Sequence, residues 1–296
     1  MKIPSFIERG TVLAPYTSYR VGGPAAYFAV VGNFEQLKQA LKFAEDHYLD
    51  VFILGKGTNL LVADSGYRGM VIRLTKEFTR ILIEDEAMVA GGGAQLALAA
   101  SAAARNSVSG FEWAAGIPGT VGGAVKMNAG AHGFSIADML SYVLVYDLKT
   151  HELQKKRTAE LGLGYRTSNL RKHEIVIEAG FRLKKDEPER IKKLTESYFK
   201  ERKAKQPLGE RSAGSVFKNP LGEYAARLIE KAGLKGKRVG DAQVSTKHAN
   251  FIINLGNATA SDIYNLMKLV QQEVYNQFKV MLEPEIVLLG DFGESG

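Results

Sequence analysis

Apolar positions recur along the chain with two spacings. Between Phe34 and His47, Leu37, Ala40, Leu41 and Ala44 fall three and four residues apart, which predicts a helix with one buried face. Gln95 to Asn106 is an alanine-rich helix, and Glu189 to Lys205 is a third that ends before Pro207. Short apolar runs at Tyr27–Val31, Val51–Leu54, Val71–Leu74, Ile81–Ile83 and Met88–Ala90 predict strands between and after the first helices. Ser141–Asp147 and Ile175–Leu183 predict two longer strands flanking the loop 161-LGLGYRTSNLR-171. The polar stretch 206-QPLGERSAGS-215 marks a domain boundary. Beyond it the pattern gives a helix (Glu223–Ala232), a strand (Phe251–Asn254), a helix N-capped by Ser261 (to Phe278) and a strand (Ile286–Leu289). The sum is an α+β protein with a βαβ-like start, divided into 1–75, 76–205 and 206–296.

Composition narrows the class. The 296 residues include no cysteine, which excludes disulfides, thiolate catalysis and cysteine-ligated metals or clusters, and no metal site is expected. No apolar run reaches the ~18 residues of a membrane span, and 1-MKIPSFIERG-10 lacks an apolar signal core, so a cytoplasmic protein with no membrane partner is expected. The net charge is +7, concentrated between Lys184 and Gly240, where sixteen Lys and Arg face eight Asp and Glu. A basic surplus suggests an anionic partner. Nucleic acid would call for aromatics interleaved with the bases. Only Tyr198 and Phe199 lie near, so no nucleic-acid partner is expected, and much of 190–206 reads as the solvated face of a helix.

Two loops combine glycine with a following hydroxyl or amide. One is 54-LGKGTNLLVAD-64. The other is 116-GIPGTVGGAVKMNAGAHG-133, with six glycines in eighteen residues. Glycine lets backbone approach a ligand, and successive N–H groups form an anion cradle. Neither loop is a dinucleotide fingerprint or a P-loop: Gly55-Lys56-Gly57 and Gly91-Gly92-Gly93 each fail at the sixth residue, Leu60 and Leu96. A diphosphate gripped at two points fits them better than two unrelated turns.

Seven pieces in order carry a resemblance to a known family: 16-YTSYRVGGPA-25, 54-LGKGTNLLVAD-64, 113-WAAGIPGTVGGAVKMNAGAHG-133, 164-GYRTSNL-170, 212-SAGSVFKNP-220, 248-HANFIIN-254 and 282-LEPEIVLLG-290. Together they resemble the UDP-N-acetylenolpyruvoylglucosamine reductases, flavoenzymes of peptidoglycan precursor synthesis. The resemblance implies an FAD-binding domain of the vanillyl-alcohol-oxidase (PCMH) type plus a smaller α/β substrate-binding domain. A monomer is expected, although no residue pattern bears on oligomeric state. The resemblance also implies non-covalent FAD held by Gly55, Lys56, Gly57, Thr58, Asn59 and Leu60 and by Gly116, Ile117, Pro118, Gly119, Thr120, Gly122, Gly123 and Ala124, with Asn128 and Ala129 near the flavin. His132 is read as structural or solvent-exposed.

The implied reaction uses NADPH to reduce UDP-N-acetylglucosamine enolpyruvate, an enolpyruvyl ether, to UDP-N-acetylmuramate. Flavin hydride goes to the methylene carbon, and a proton to its neighbour. Such a site needs groups that steady a carboxylate bearing developing charge, and an acid. By the resemblance these are Arg166, whose planar fork suits a carboxylate, Glu285, and Ser215 as proton donor. A carboxylate beside a developing anion helps only if it is protonated or orients another group, so a Glu285 pKa raised by burial is expected. Glu283 is the alternative acid. Tyr165, Lys218, Asn219, His248 and Asn250 are the expected substrate contacts. The short 167-TSNLRKHE-174, without tyrosine, resembles the type II form that lacks a tyrosine-bearing closing loop. Another FAD-linked oxidoreductase of the same fold would share the glycine loops but not Ser-Val-Phe-Lys-Asn-Pro or Leu-Glu-Pro-Glu.

Overall fold

The computed structural model of the chain describes residues 3–293. The helices follow the apolar spacing. Helix α1 (Phe34–Asp46) buries Leu37, Ala40, Leu41 and Ala44, and Phe43 beside them. Its start is fixed by Asn33, whose side chain accepts the Gln36 N–H at 2.9 Å. Helix α2 (Leu96–Arg105) buries Leu96, Ala99, Ala100, Ala102 and Ala103, small side chains that let it lie close to its neighbours. A short helix, α3 (Val121–Lys126), lies within the second glycine stretch and is capped by Thr120.

The longer predicted strands meet in a five-stranded antiparallel sheet. Its order is Glu152–Arg157, Leu140–Asp147, Glu174–Arg182, Ala87–Gly91, Ile81–Glu84. Leu140–Asp147 and Glu174–Arg182 are largely buried, as their near-continuous apolar runs required. Glu152–Arg157 was not expected as a strand. Its sequence, ELQKKR, is polar because it closes the sheet's edge, where charge discourages pairing with another chain. Phe111 lies edge-on to Phe181 at 5.0 Å, inside the core that α2, α3 and this sheet share. Val51–Ile53 lies beside Tyr67–Leu74, with Leu54 N–H donating to Ile72 O at 2.9 Å.

Helix α4 (Pro188–Lys205) is mostly exposed, as its composition predicted, but not on every side. Ile191 is buried, and Thr195, Tyr198 and Arg202 are half-buried, a stripe at helical spacing. After it come α5 (Ala225–Lys231) and α6 (Ala260–Phe278), which pack with the strands Arg238–Val239, Ala242–Val244 and Ile252–Asn254. The N-cap of α6 is Thr259 rather than Ser261. Thr259 and Asp262 form a reciprocal capping box. Ser261 instead donates its N–H and hydroxyl to Asp64, at 2.8 and 2.7 Å.

Two compact units result, and neither is continuous in sequence. The first holds Ala29–Gly55, Val71–Arg202 and the N-terminal residues through Ile7; the second holds Glu8–Phe28, Lys56–Met70 and the chain from Lys203 onward. The segment 1–75, expected as one subdomain, is therefore shared between them. The reason within the second unit is long-range pairing: Leu60–Val62 runs parallel to Val287–Leu289, and the Asn254 amide donates to Tyr19 O at 2.8 Å.

Candidate functional site

In the first unit the two glycine loops meet at one point. A Cβ on Gly55 would fall 2.6 Å from the Thr120 hydroxyl, so the position requires glycine. Much of the second loop's backbone is engaged inside the protein. Ile117 N–H donates to Ala114 O, Val121 to Ala94 O, Gly122 to Gly92 O and Ala124 to Thr120 O. Gly123 N–H donates to the Thr120 hydroxyl at 3.3 Å. The N–H groups of Gly116, Gly119 and Thr120 donate to no protein acceptor among the described residues. The loop thus divides into a braced half and a half that presents donors.

Helix α4 delivers a cation to the donor half. The Arg202 stem crosses Gly116, where an added Cβ would lie 3.1 Å from Cδ. Burial first, and the charge of Arg166 second, push the Arg202 guanidinium below its ordinary range. Its Nε is buried without a hydrogen-bond partner among the described residues. A desolvated guanidinium beside a second arginine is costly unless an anion joins it. The sequence reading missed Arg202, because it took the segment for a solvated helix face. The inward stripe Ile191, Thr195, Tyr198, Arg202 was the available signal. His132, read as structural or exposed, is largely buried: its ring stacks on Tyr198 at 4.2 Å, and its Nδ1 lies 3.3 Å from Glu201.

Arg166 sits on a tight turn, Gly164–Thr167, closed by two backbone bonds of 3.2 and 3.4 Å. It occupies the third position with φ +56°, a conformation that favours glycine. Its Nη2 donates to Gly130 O at 3.0 Å, and its guanidinium lies over the exposed Tyr165 ring. Asn128, expected near the flavin, spends its side chain elsewhere. Its Nδ2 donates to Gly164 O at 2.8 Å, and its Oδ1 accepts from Ala137 N–H at 3.0 Å. Ala129 N–H likewise donates to Ala124 O.

At the far end of the sheet, Asp147, His173 and Glu174 bring three ligand-type atoms within 4.8 Å of one another. Asp147 accepts from Lys149 and Thr150 N–H in the hairpin turn, and Glu174 is ion-paired with Lys156. The cluster is a structural network.

In the second unit, Ser215 opens an extended segment held on both edges. On one side Ser215 bridges Phe251, and Val216 N–H donates to Asn250 O. On the other, Phe217 bridges Pro284, Lys218 N–H donates to Glu283 O, and Glu285 N–H donates to Val216 O, both at 2.8 Å. Ser215 and Glu285 are thereby brought to neighbouring strands. Asn59, expected at the cofactor, donates its amide to Glu285 O at 3.2 Å. Asn250, expected as a substrate contact, is buried and holds Phe217 by both N–H and C=O, at 3.0 and 2.8 Å. Asn219 accepts the Ala225 N–H at 3.1 Å and so helps start α5. Lys218 pairs with Glu283 at 2.5 Å, which ties the alternative acid to a cation. Burial pushes the His248 imidazole below its ordinary range, and its Nδ1 is buried without a partner. Leu60 lies in the core strand Leu60–Val62.

A glycine loop that presents N–H donors on an α+β domain, joined to a smaller α/β unit, is the architecture of an FAD-dependent oxidoreductase. Comparisons with known proteins agree. The model of an FAD-binding domain matches residues 25–155, and that of the C-terminal domain of UDP-N-acetylenolpyruvoylglucosamine reductase matches 206–289. A reductase of this name (number 2) from Symbiobacterium thermophilum is 44% identical over 97% of this chain and 93% of its own length. One from Clostridium tetani is 43% identical over 96% and 92%. The crystal structure of UDP-N-acetylenolpyruvylglucosamine reductase from Thermus caldophilus superposes with a TM-score of 0.84 at 40% identity, covering 96% of this chain and 99% of that one. The chain belongs to the UDP-N-acetylenolpyruvoylglucosamine reductase family. Its fold is the expected FAD-binding domain with a smaller α/β domain.

Proposed function

We propose that the protein reduces UDP-N-acetylglucosamine enolpyruvate to UDP-N-acetylmuramate with NADPH as reductant and FAD as carrier. The observation that carries this reading is the buried, unpartnered Arg202 Nε against the donor half of the 116–123 loop, in a chain of this family. Those groups fit a diphosphate: the N–H groups of Gly116, Gly119 and Thr120 and the Arg202 guanidinium would hold it. When bound, FAD supplies the relay of two electrons from NADPH to the enolpyruvyl double bond.

The protein's own residues do the rest. Arg166 holds the substrate carboxylate and steadies the charge that spreads into it. Ser215 gives its hydroxyl proton to the carbon beside the carboxylate. An alcohol is a weak acid, but the acceptor is a strongly basic carbanion. Glu285 orients the groups around that carbon. Lys218, released from Glu283, meets the substrate's diphosphate; their pair is an exposed one, of the kind worth ~1 kcal/mol or less, so an anion displaces it readily. Tyr165, Asn219 and His248 border the sugar nucleotide. The short segment after Arg166 leaves the site without a tyrosine-bearing closing loop.

Purified protein tests this directly. A retained flavin spectrum should bleach with NADPH and recover on adding the enolpyruvyl substrate. Arg202→Met should weaken FAD binding ~10- to 100-fold in a fluorescence titration, the worth of a lost charge-assisted hydrogen bond. A colourless protein that binds no added FAD would sink the reading.

A further inference from the structure

We infer that Asn128 is a positioning residue that fixes Arg166 for the reaction, acting through the backbone of the Gly164–Thr167 turn. The inference rests on Arg166 being the carboxylate-binding residue. Asn128 is 6% exposed and itself held at φ +41°. Its carboxamide is bidentate toward two separate segments, with Nδ2 on Gly164 O and Oδ1 under Ala137 N–H. Gly164 is the first residue of the turn, and its N–H and C=O both pair with Thr167. Asn128 therefore grips the turn at its closing pair, two residues from the guanidinium-bearing position.

The turn needs such a grip. Arg166 occupies a left-handed conformation that a non-glycine residue adopts only under strain, so surrounding contacts must impose it. Further ties come from the same stretch of chain. Lys126 Nζ donates to Leu170 O and Arg171 O at 2.7 and 3.0 Å, Ser168 Oγ donates to Lys126 O at 2.7 Å, and Gly130 O accepts the Arg166 guanidinium. Burial lowers the Lys126 pKa, because the ammonium is drawn out of water to reach those carbonyls. Residues 126–130 form a clamp on the loop that carries Arg166, and Asn128 is its buried jaw. The clamp explains why an asparagine stands at that place: it needs a donor and an acceptor on one short side chain.

The test is a double-mutant cycle on the holoenzyme, with flavin reduction by NADPH and reoxidation by the enolpyruvyl substrate followed separately. Asn128→Asp keeps the size and the acceptor for Ala137 but loses the donor to Gly164 O. It should slow reoxidation ~10²-fold, as expected when a reacting group is misplaced by about 1 Å, and leave flavin reduction near wild type. In an Arg166→Ala background the same substitution should change little, because its effect passes through Arg166. Ser168→Ala, a milder cut in the same clamp, should give a smaller loss with the same signature. If Arg166→Ala slows reoxidation but the Asn128 and Ser168 effects multiply with it undiminished, or fall equally on both half-reactions, the positioning role is wrong. If Arg166→Ala leaves reoxidation unchanged, the assignment of Arg166 itself fails.

Discussion

Two buried asparagines support the two proposed halves of the chemistry, and they do so differently. Asn250 holds Phe217 by N–H and C=O within the segment that carries Ser215. That segment is also paired along both edges by backbone bonds that depend on no side chain. Asn128 holds the turn of Arg166, whose backbone is strained and closed on itself by two bonds, and which is tied to residues 126–130 by side-chain bonds. The proton-donor segment is thus secured by a ladder, and the carboxylate-binding turn by a clamp. A ladder loses stability gradually when one rung is cut, whereas a clamp loses geometry.

The sharpest way to sharpen that contrast is at the end of the ladder. Ser215→Ala removes only the hydroxyl, so the strand persists. Reoxidation by substrate should fall ~10³-fold, within the range of a lost general acid, while reduction by NADPH stays near wild type in stopped-flow absorbance. Equal rates in both half-reactions would remove Ser215 from the chemistry. Next comes Asn250→Ala, which leaves the Phe217 N–H and C=O buried without their partner. We expect a loss of ~3 kcal/mol in denaturant unfolding, with a smaller change in rate than Asn128→Asp produces. The reverse ranking would dissolve the distinction between ladder and clamp. Thr259→Ala, which opens the capping box of α6, should cost about 1 kcal/mol and leave both half-reactions unchanged.

The smallest effect concerns pH. His248 has its pKa lowered on folding, by burial first. Below the unfolded imidazole value of ~6.5 the unfolded chain binds a proton that the folded one resists, so stability falls as pH drops from there through the lower folded value. Unfolding midpoints at pH 7.5 and 5.5 should differ less in His248→Gln than in wild type. An unchanged difference would show that the imidazole is not the group responsible.

The elements legible in the sequence were those whose packing matches their own periodicity. All four residues assigned to the buried face of α1 are buried, and the apolar strands at 140–147 and 174–182 lie inside the sheet. Glu152–Arg157 was illegible because an edge strand is selected for charge, which looks like loop. The start of α6 could have been read: Thr259 and Asp262 stand three apart as a box, whereas Ser261 is engaged by Asp64, a partner nearly two hundred residues away. Among the candidate site residues, motif position named Asn59, Asn128 and Asn250, but their hold on the segments of the proposed reacting groups depends on long-range side-chain-to-backbone bonds that no local pattern encodes. Arg202 was hidden by composition, since one inward arginine among outward lysines leaves the mean polarity unchanged.

The parallel pairing of Leu60–Val62 with Val287–Leu289 also sets a timetable for synthesis. Asn59 and Glu285, which hydrogen-bond beside that pairing, are separated by 226 residues. At roughly 5–20 residues per second, a ribosome makes the first strand about 10–45 s before its partner exists. Throughout that interval the 54–64 segment emerges with its neighbour still unmade, so the second unit closes only near the end of translation, and the nascent chain must keep an apolar strand out of other pairings until then.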